Sequence, residues 1–526
     1  MKISSSLPLL LTTVALPSFA HAEVRPNPLF SDGAVLQQNA EVPVWGTAKE
    51  GEKVTVEFDG QRASATAKDG KWMVHLKPHR AGGPFVLKIA GENTLSINNV
   101  LMGEVWVCSG QSNMEFRLSG AANAATEIPL ADYPKFRMFT VGRKTAAQPV
   151  TEVAGKWIEC SPKTAAAFSA VGYFFGRDIH KATGFPVGMI HSSVGATPAQ
   201  AWTSLSGLAK EAELRPYADV AKRLIANYPA VSAMYPQELA DYQGKLKAWN
   251  DEFSAGYSET LKAWTLENQK AKAEGKPAIP KPTPPQPMPL APSPPDGNIG
   301  TPTVLYNGMI APLIPYAIKG VIWYQGEGNA GKWHEYRTLF PRMIADWREQ
   351  WGQGEFPFLF VQIAPNVQML PEIRESQLLT LEKTPNTAMA VITDVGNADN
   401  IHPTQKEPVG ARLALAARAL AYGEKIEYSG PVFSGVKIEE SHAVLSFKHI
   451  AGGLLAKDGD LKGFTIAGAD KKFVPAKAEI RGDTVIVSAD QVPQPVAVRY
   501  GWSKVPDVNL YNKEGLPASP FRTDVE

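Results

Sequence analysis

The sequence predicts an α/β protein in which a three-layer α/β/α central domain with a parallel sheet is flanked by smaller β domains. Between about residues 100 and 423, apolar strand-like segments alternate with helical stretches, which is typical of a sheet with helices on both faces. On either side of that region, short segments alternate polar and apolar residues between glycine turns, as half-buried strands do. A chain of 526 residues is long enough for about three such domains.

The first 22 residues are typical of a signal peptide. Lys2 supplies a positive start, residues 7–16 are mainly apolar, and Ala20-His21-Ala22 is a small-x-small cleavage site. An N-terminal membrane anchor is the competing interpretation. However, a membrane span requires about 20 apolar residues, and neither this stretch nor any later one is long enough. We therefore expect a periplasmic or secreted protein without a membrane span.

The two ends of the mature chain are predicted to be β domains, over residues 23–99 and 424–526. In the first, Lys53–Phe58 alternates polar and apolar side chains, and two Asp-Gly pairs are hairpin signals. In the second, alternation returns in segments such as Thr484–Ser488. The pattern leaves open whether the second β domain packs on the first or on the central domain.

The central domain is predicted to span residues 100–423. Strand candidates lie at residues 104–108, 186–191, 320–323, 358–362 and 388–393, and helix candidates at 165–183 and 407–421. In open α/β sheets, ligands bind beyond the carboxyl ends of the strands. Four segments that contain Ser112, Gly195, Asn329 and His402 each follow a predicted strand end, so we expect them to meet at one edge of the sheet.

An insertion interrupts the central domain at about residues 205–300. Its apolar residues recur every three or four positions and mark one face of a long helix: Leu239, Tyr242, Leu246, Trp249, Phe253, Tyr257, Leu261 and Trp264. We expect this face to pack against a neighbouring helix; a ligand or dimerisation surface is the alternative. Ten prolines between Pro277 and Pro295 then favour an extended strap across the surface, or a segment that recruits a partner domain.

Charge and cysteine content narrow the possible functions. The net charge is +1, from 53 basic and 52 acidic residues, so no basic field exists to attract nucleic acid and we expect no such partner. No His/Cys cluster has metal-ligand spacing, and we expect neither a metal nor a cofactor. Cys108 and Cys160 could form one disulfide in an oxidising compartment or remain two small buried thiols.

Two short motifs together predict a serine esterase. Gly110-Gln111-Ser112-Asn113-Met114 follows an apolar run, and Asp399 stands three residues before His402. A serine hydroxyl is a poor nucleophile unless a neighbouring base and a group orienting that base activate it. Taken singly, Ser112 could be a helix cap and Asp399 a turn residue, but the two motifs supply all three roles. His191, at a predicted strand end, is the main competitor of His402; we interpret it as bonded to the backbone.

These motifs resemble those of the sialate O-acetylesterase family, carbohydrate acetylesterases of the SGNH hydrolase superfamily. The resemblance rests on residues 110–114, on Asp399-x-x-His402-Pro403 and on the segment Trp323-Tyr324-Gln325-Gly326-Glu327-Gly328-Asn329. It extends over nearly the whole mature chain, from Leu29-Phe30-Ser31-Asp32 to Gly515-Leu516-Pro517.

The resemblance implies a role for each matching residue. Ser112 would be the nucleophile, His402 the general base and later acid, and Asp399 the partner that orients the imidazole. The oxyanion hole would be formed by the backbone N–H groups of Ser112 and Gly195 and by the side-chain amide of Asn329, and loss of one such donor costs about 10²- to 10³-fold in rate. Positions that contact substrate or support these groups would be Gln111, Gln325, Glu327, Trp202 and Arg374.

The loop around Gly195 departs from the family pattern. The family commonly has Ser-Trp-Gly-Gly-Thr where this chain has Ser193-Val194-Gly195-Ala196-Thr197, and Gln200 stands where an acidic residue is frequent. Catalysis is expected to survive, whereas substrate specificity is open. The implied substrate is an O-acetylated sugar, with sialate first and acetylated xylan or xyloglucan oligosaccharides second. A catalytically inactive glycan-binding protein is the alternative from another class.

Overall fold

The computed structural model describes residues 23–524, so the expected signal peptide lies outside the described residues. Seven strands of an 11-stranded sheet form the centre, in the spatial order Trp157–Cys160, Tyr133–Thr140, Val187–Ser193, Thr94–Gly110, Gly320–Tyr324, Phe358–Val361 and Thr387–Ala390. Neighbouring strands are parallel except at one edge, where Trp157–Cys160 pairs antiparallel with Tyr133–Thr140. The expectation of a parallel sheet is therefore wrong at this edge, because a strand that returns beside its predecessor needs no crossover helix.

Helices cover both faces of this sheet. One hydrophobic cluster joins one face to the helices Ala170–Thr183 and Glu407–Leu420. A second cluster joins the opposite face to the helices Trp333–Trp351 and Pro371–Lys383. Neighbouring residues of a strand fall into different clusters because successive side chains point to opposite faces. The centre thus has the three layers that the alternation of strands and helices predicts.

A single long strand joins the N-terminal β region to this centre. Thr94–Gly110 pairs with Gly82–Ala90 in its first half and with two central strands in its second half. The boundary expected at residue 99 therefore falls inside a continuous strand. The remaining N-terminal strands are Arg25–Pro26, Val35–Gln37, Val42–Thr47, Lys53–Phe58, Gln61–Thr66 and Lys71–Leu76.

The C-terminal β region packs on the central layers. Arg522 pairs with Glu375 of the Pro371–Lys383 helix at 2.6 Å, and Gln362 Nε2 donates to Ser519 Oγ at 2.9 Å. This region contains the strands Val432–Glu439, His442–Lys448, Leu454–Ala456, Phe464–Ala467, Val474–Pro475, Lys477–Arg481, Thr484–Ser488, Ala497–Tyr500, Leu510–Asn512 and Phe521–Arg522.

The insertion contains a long helical segment followed by the proline-rich chain. After the short helix Leu205–Lys210 come Arg215–Trp249, a π-helical turn at Asn250–Ser254 and Ala255–Ala273. We call residues 215–295 the arm. Its aromatic residues donate to main-chain oxygens of the proline-rich segment: Trp249 to Gln286, Tyr257 to Pro282 and Trp264 to Ile279.

This pairing corrects the expected partner of the helix. The aromatic face lies against the returning chain rather than against another helix, because proline-rich chain leaves carbonyl groups free to accept from indole N–H and phenol O–H groups.

Within residues 23–524, no helix combines the length and the apolar character needed to cross a membrane. Ser112–Glu115 and Ala124–Glu127 are two further short α-helices, and Tyr306–Ile310 forms a π-helical segment. The 3-10 helices include Ala199–Trp202 and Glu327–Lys332.

Candidate active site

Ser112 lies at the carboxyl end of the longest central strand. The strand ends at Gly110, whose φ of +138° is one that side chains rarely adopt, and an added Cβ would lie 2.1 Å from the carbonyl oxygen of Tyr324. Glycine therefore lets the two neighbouring strands approach closely where the chain turns. Ser112 is the first residue of the helix that follows, so its backbone N–H has no acceptor within that helix.

The imidazole of His402 lies within hydrogen-bond distance of this serine. His402 Nε2 is 2.7 Å from Ser112 Oγ, although the two residues are 290 positions apart in the chain. Burial lowers the pKa of His402 below its ordinary value, and the nearby positive charge of Lys406 lowers it further. Both effects favour the neutral ring, which can accept the hydroxyl proton.

Asp399 has no contact with the imidazole in this structure. Its side chain is exposed, and within residues 23–524 neither a hydrogen bond nor an ion pair joins its carboxylate to His402. The loop is instead held by amide side chains: Asn397 Oδ1 accepts from the backbone N–H of Asp399, and Asn400 Oδ1 accepts from that of His402. These local turns direct the Asp399 side chain outward, so its assigned role stays a prediction.

A buried polar network ties the nucleophile segment to the histidine loop. The Asn113 side chain donates to the carbonyl oxygen of Ile401 at 3.0 Å and to Glu327 Oε1 at 2.7 Å. It accepts from Lys406 Nζ at 2.5 Å. Because Asn113 follows Ser112 and Ile401 precedes His402, this one amide links the two reacting residues through their backbones.

The charges in this network are strongly affected by burial. Lys406 is fully buried, and burial lowers its pKa to about 7, against the opposing effect of Glu327. Its ammonium group lies over the rings of Phe116 and Tyr324, at 4.9 and 5.2 Å. Burial raises the pKa of Glu327, whose Oε2 is inaccessible to solvent and has no hydrogen-bond partner in the described part of the chain.

Asn329 reaches the same edge from the end of the neighbouring strand. Its Oδ1 accepts from the Ala199 backbone N–H at 2.8 Å and from Gln325 Nε2 at 2.7 Å, and its Nδ2 donates to Gln200 Oε1 at 3.0 Å. The second hydrogen of Nδ2 is not used in that bond. Gln200, where the family often has an acidic residue, therefore helps to fix the orientation of the Asn329 amide.

Gln111 and Gln325 support this edge rather than line it. Gln111 is buried, and its Oε1 accepts from the Gly328 backbone N–H at 3.0 Å. Gln325 is also buried and receives a hydrogen bond from the hydroxyl of Tyr336 at 3.0 Å. Each glutamine thus holds the segment on which Asn329 stands.

Two of the five residues expected to contact substrate or to support the site are enclosed in the protein interior. Trp202 is fully buried; its Nε1 donates to Thr197 Oγ1 and its ring packs edge-on against Trp323, so it belongs to the core. Arg374 is also fully buried and donates to the carbonyl oxygens of Ser503 and Lys504 in the C-terminal region. A fully enclosed side chain offers no surface to a sugar, so of the two roles expected for Trp202 and Arg374, contact with substrate or support of the site, only support stays a prediction.

His191 and the two cysteines are all buried. His191 is buried, which lowers its pKa to about 4, and its Nε2 lies 2.6 Å from Ser193 Oγ. Its partner is thus a side chain and not the backbone. Cys108 and Cys160 are both free and buried, and burial raises the pKa of each thiol. Within residues 23–524, no group of three or more His, Cys, Asp or Glu side chains is arranged to hold a metal ion.

Gly195 lies beside the nucleophile, but its N–H is already engaged. It donates to Glu115 Oε2 at 2.7 Å, and a Cβ added at Gly195 would be 3.3 Å from the Cβ of Ser112. The sequence missed Glu115, Asn113 and Lys406 as members of the site. Asn113 lies within the recognised serine motif and Glu115 directly follows it, whereas only the short spacing from His402 could have pointed to Lys406.

Similar proteins of known identity agree with an ester-hydrolysing site. A family model described as carbohydrate esterase, sialic acid-specific acetylesterase, matches residues 300–419, which include Asn329 and His402. Sialate O-acetylesterase of Rattus norvegicus is 30% identical and that of Homo sapiens 28%; the alignments cover 91% and 93% of this chain and 90% of each relative. A carbohydrate acetylesterase from Xanthomonas citri has a crystal structure that is 37% identical, with a TM-score of 0.77 over 96% of this chain and 100% of that one.

The fold, the serine–histidine contact and these matches define a carboxylic ester hydrolase of the carbohydrate acetylesterase class. Similarity over nine-tenths of both chains then narrows the class to one family. The chain belongs to the sialate O-acetylesterase family.

Proposed function

We propose that this protein is an exported enzyme that removes acetyl groups from O-acetylated sugars through an acetyl-enzyme on Ser112. The observation that carries the proposal is the 2.7 Å separation between Ser112 Oγ and His402 Nε2. That distance lets the imidazole take the hydroxyl proton as the oxygen attacks.

The reaction runs in two halves. Ser112 Oγ attacks the acetyl carbonyl carbon while His402 accepts the proton, and the tetrahedral intermediate collapses as His402 returns that proton to the departing sugar oxygen. A water molecule, deprotonated by His402, then attacks the acetyl-enzyme, and the proton goes back to Ser112 as acetate leaves. The lowered pKa of His402 suits this cycle because the ring must be neutral at the start of each half.

The intermediate's oxyanion would be stabilised by three donors. These are the backbone N–H groups of Ser112 and Gly195 and the unused N–H of the Asn329 side chain. Asn329 is held by three hydrogen bonds, so little reorganisation is needed when charge develops on the oxygen.

Asp399 is assigned as the orienting acid on its spacing from His402 and on the family resemblance. Its carboxylate is exposed and makes no contact with the imidazole in the described residues, while the Asn113 amide holds the carbonyl group next to His402. We therefore expect Asp399 to contribute less than Ser112 or His402.

The same proposal covers fold type, domain layout and location. The central domain, residues 100–423, is proposed to be of the SGNH type, between β domains at 23–99 and 424–526. Residues 1–22 are proposed to direct export to the periplasm or beyond, on the basis of their positive start, apolar core and cleavage motif.

Acetylated sialic acid is the first candidate substrate, because the curated relatives are sialate O-acetylesterases. Acetylated xylan or xyloglucan oligosaccharides are the second. The loop at residues 194–200 keeps this second class a candidate, because it departs from the family pattern and its Gln200 accepts a hydrogen bond from Asn329. Hydrolysis of acetylated sialic acid compared with that of acetylated xylo-oligosaccharides separates the two.

Ser112→Ala tests the mechanism. We expect it to lower acetate release from p-nitrophenyl acetate by at least about 1,000-fold, because no other nucleophile replaces the hydroxyl. Ser446→Ala, an exposed serine of the C-terminal β region, is the matched control and should keep full activity. A Ser112→Ala enzyme with wild-type turnover would refute the assignment, and a wild-type protein that binds acetylated glycans without releasing acetate would favour the inactive glycan-binding alternative.

A further inference from the structure

The Glu115 carboxylate occupies the hydrogen-bonding position that the reaction needs. Its Oε2 accepts the Gly195 N–H at 2.7 Å, within the range that an oxyanion-hole donor keeps from the oxygen it stabilises. Gly195 borders the nucleophile, since an added Cβ would lie 3.3 Å from Ser112 Cβ and 3.1 Å from Glu115 Oε2. In the free enzyme the donor assigned to the acetyl oxygen is therefore bonded to a protein carboxylate.

An exchange of partners must precede the chemistry. A backbone N–H carries one hydrogen, so it cannot bond both the carboxylate and the acetyl oxygen at full strength. Glu115 is exposed and stands at the end of the four-residue helix that Ser112 begins, so its side chain can turn away without disturbing the core. Once the carboxylate has left this N–H, it can accept a hydrogen bond from another donor.

An acetylated sugar supplies the groups that complete this exchange. Its acetyl carbonyl is an acceptor that suits Gly195, and the free hydroxyls on neighbouring ring carbons are donors that suit Glu115. We propose that Glu115 is a specificity-determining residue: it holds the Gly195 N–H in the free enzyme and transfers to a sugar hydroxyl beside the acetyl group when substrate binds. Simple acetyl esters displace the carboxylate but have no hydroxyl group that could donate a hydrogen bond to it.

This inference deepens the proposed function and rests on it. It predicts that Glu115 acts in opposite directions on two kinds of ester. For an ester without hydroxyl groups, the carboxylate only competes for the donor. For a sugar ester, it gains a charge-assisted hydrogen bond, which is stronger than a neutral one.

The test measures kcat/KM of Glu115→Ala and Glu115→Gln on two kinds of substrate. One is p-nitrophenyl acetate; the other is whichever of O-acetylated sialic acid and acetylated xylo-oligosaccharides the wild-type enzyme hydrolyses. For Glu115→Ala we expect about a 3-fold rise on p-nitrophenyl acetate and about a 10-fold fall on the sugar ester, from the loss of one charged hydrogen-bond acceptor. Glu115→Gln, which keeps a neutral acceptor, should lie between Glu115→Ala and the wild type on both.

The opposite signs separate a specificity role from simple damage. If both activities fall together, or both stay unchanged, the exchange does not occur and the inference is overturned. Glu259→Gln, an exposed glutamate of the arm, removes one negative charge without touching this site and should change neither value. Because the Ser112→Ala test is independent, loss of the Glu115 inference leaves the proposed mechanism standing.

Discussion

The carboxyl edge of the central sheet and the arm are held together in different ways. At the sheet edge, buried polar side chains join segments far apart in the chain: Asn113 bonds Ile401 across 288 positions and Lys406 across 293. In the arm, Trp264 bonds Ile279 across 15 positions and Trp249 bonds Gln286 across 37. The edge therefore exists only when the whole central domain is folded, whereas these bonds between the helix of the arm and its proline-rich segment are local.

This difference between the two regions indicates which of them can support catalysis. Buried charges are costly unless they are paired and hydrogen-bonded. At the sheet edge, Asn113 bonds both Lys406 and Glu327, in the segment that directly follows Ser112. Such a network fixes the geometry around Ser112 and contains the charge that adds to burial in lowering the pKa of His402. The bonds between the helix of the arm and its proline-rich segment involve neither of these residues. A change at the edge should therefore alter catalysis, and a change in the arm should not.

Lys406→Met should have the largest effect of the three changes that probe this contrast. At pH 6 we expect kcat/KM to fall by about 10-fold or more, because Asn113 loses a charged partner. The acid side of the pH profile should also move to higher pH. The positive charge of Lys406 lowers the pKa of His402, so its removal raises that pKa and the ring protonates earlier as the pH falls.

The pH range in which the variant and the wild type should differ follows from the pKa of Lys406. Its pKa of about 7 means that it is charged below neutrality, which is where His402 titrates, so the two profiles should differ most at acid pH. Lys319→Met is the matched control: it removes a lysine that lies over the Tyr422 ring, 5.1 Å from its centroid. An unchanged acid limb in Lys406→Met would mean that the network does not tune the base, and a wild-type profile that is flat from about pH 5 to 8 would exclude His402 as that base.

Asp399→Asn should have a smaller effect on the same reaction. An acid that directly bonds the catalytic histidine is worth about 10⁴-fold in other serine hydrolases. Here the carboxylate is exposed and unattached to the imidazole, and we expect a loss of less than about 10-fold in kcat on p-nitrophenyl acetate. Asn400→Ala, which removes the acceptor of the His402 backbone N–H, provides a comparison within the same loop. A 10⁴-fold loss in Asp399→Asn would show that the loop reorganises to bring the carboxylate onto the ring.

Much of the fold could be predicted because strands and motifs are local signals. The apolar runs before Ser112 and Asn329 became central strands, and the rule that ligands lie beyond the carboxyl ends of strands brought Ser112 and His402 to one edge. The antiparallel direction of the edge strand Trp157–Cys160 could not be predicted, because a four-residue strand carries no signal of direction.

The rest depends on pairings that no local pattern encodes. Lys406 looks like an ordinary loop lysine until the fold buries it against Asn113, and Arg374 looks like a candidate ligand for a sugar until it reaches the carbonyl groups of Ser503 and Lys504. The aromatic face of the arm was correctly periodic, but periodicity does not say what covers it. Proline-rich chain, which has unused carbonyl groups, satisfied the indole and phenol donors instead of a second helix.

Trp264→Phe should have the smallest effect on activity of the three changes. It tests whether the arm can be altered without affecting catalysis at the sheet edge. The change keeps an aromatic ring but removes the Nε1 donor to Ile279, a bond worth about 1 kcal/mol. We expect limited proteolysis to cut the arm faster while acetate release stays at the wild-type value. The contact is local and only partly buried, so its loss opens the arm without reaching Asn113 or His402. A parallel fall in kcat would show instead that the arm and the sheet edge form one cooperative unit.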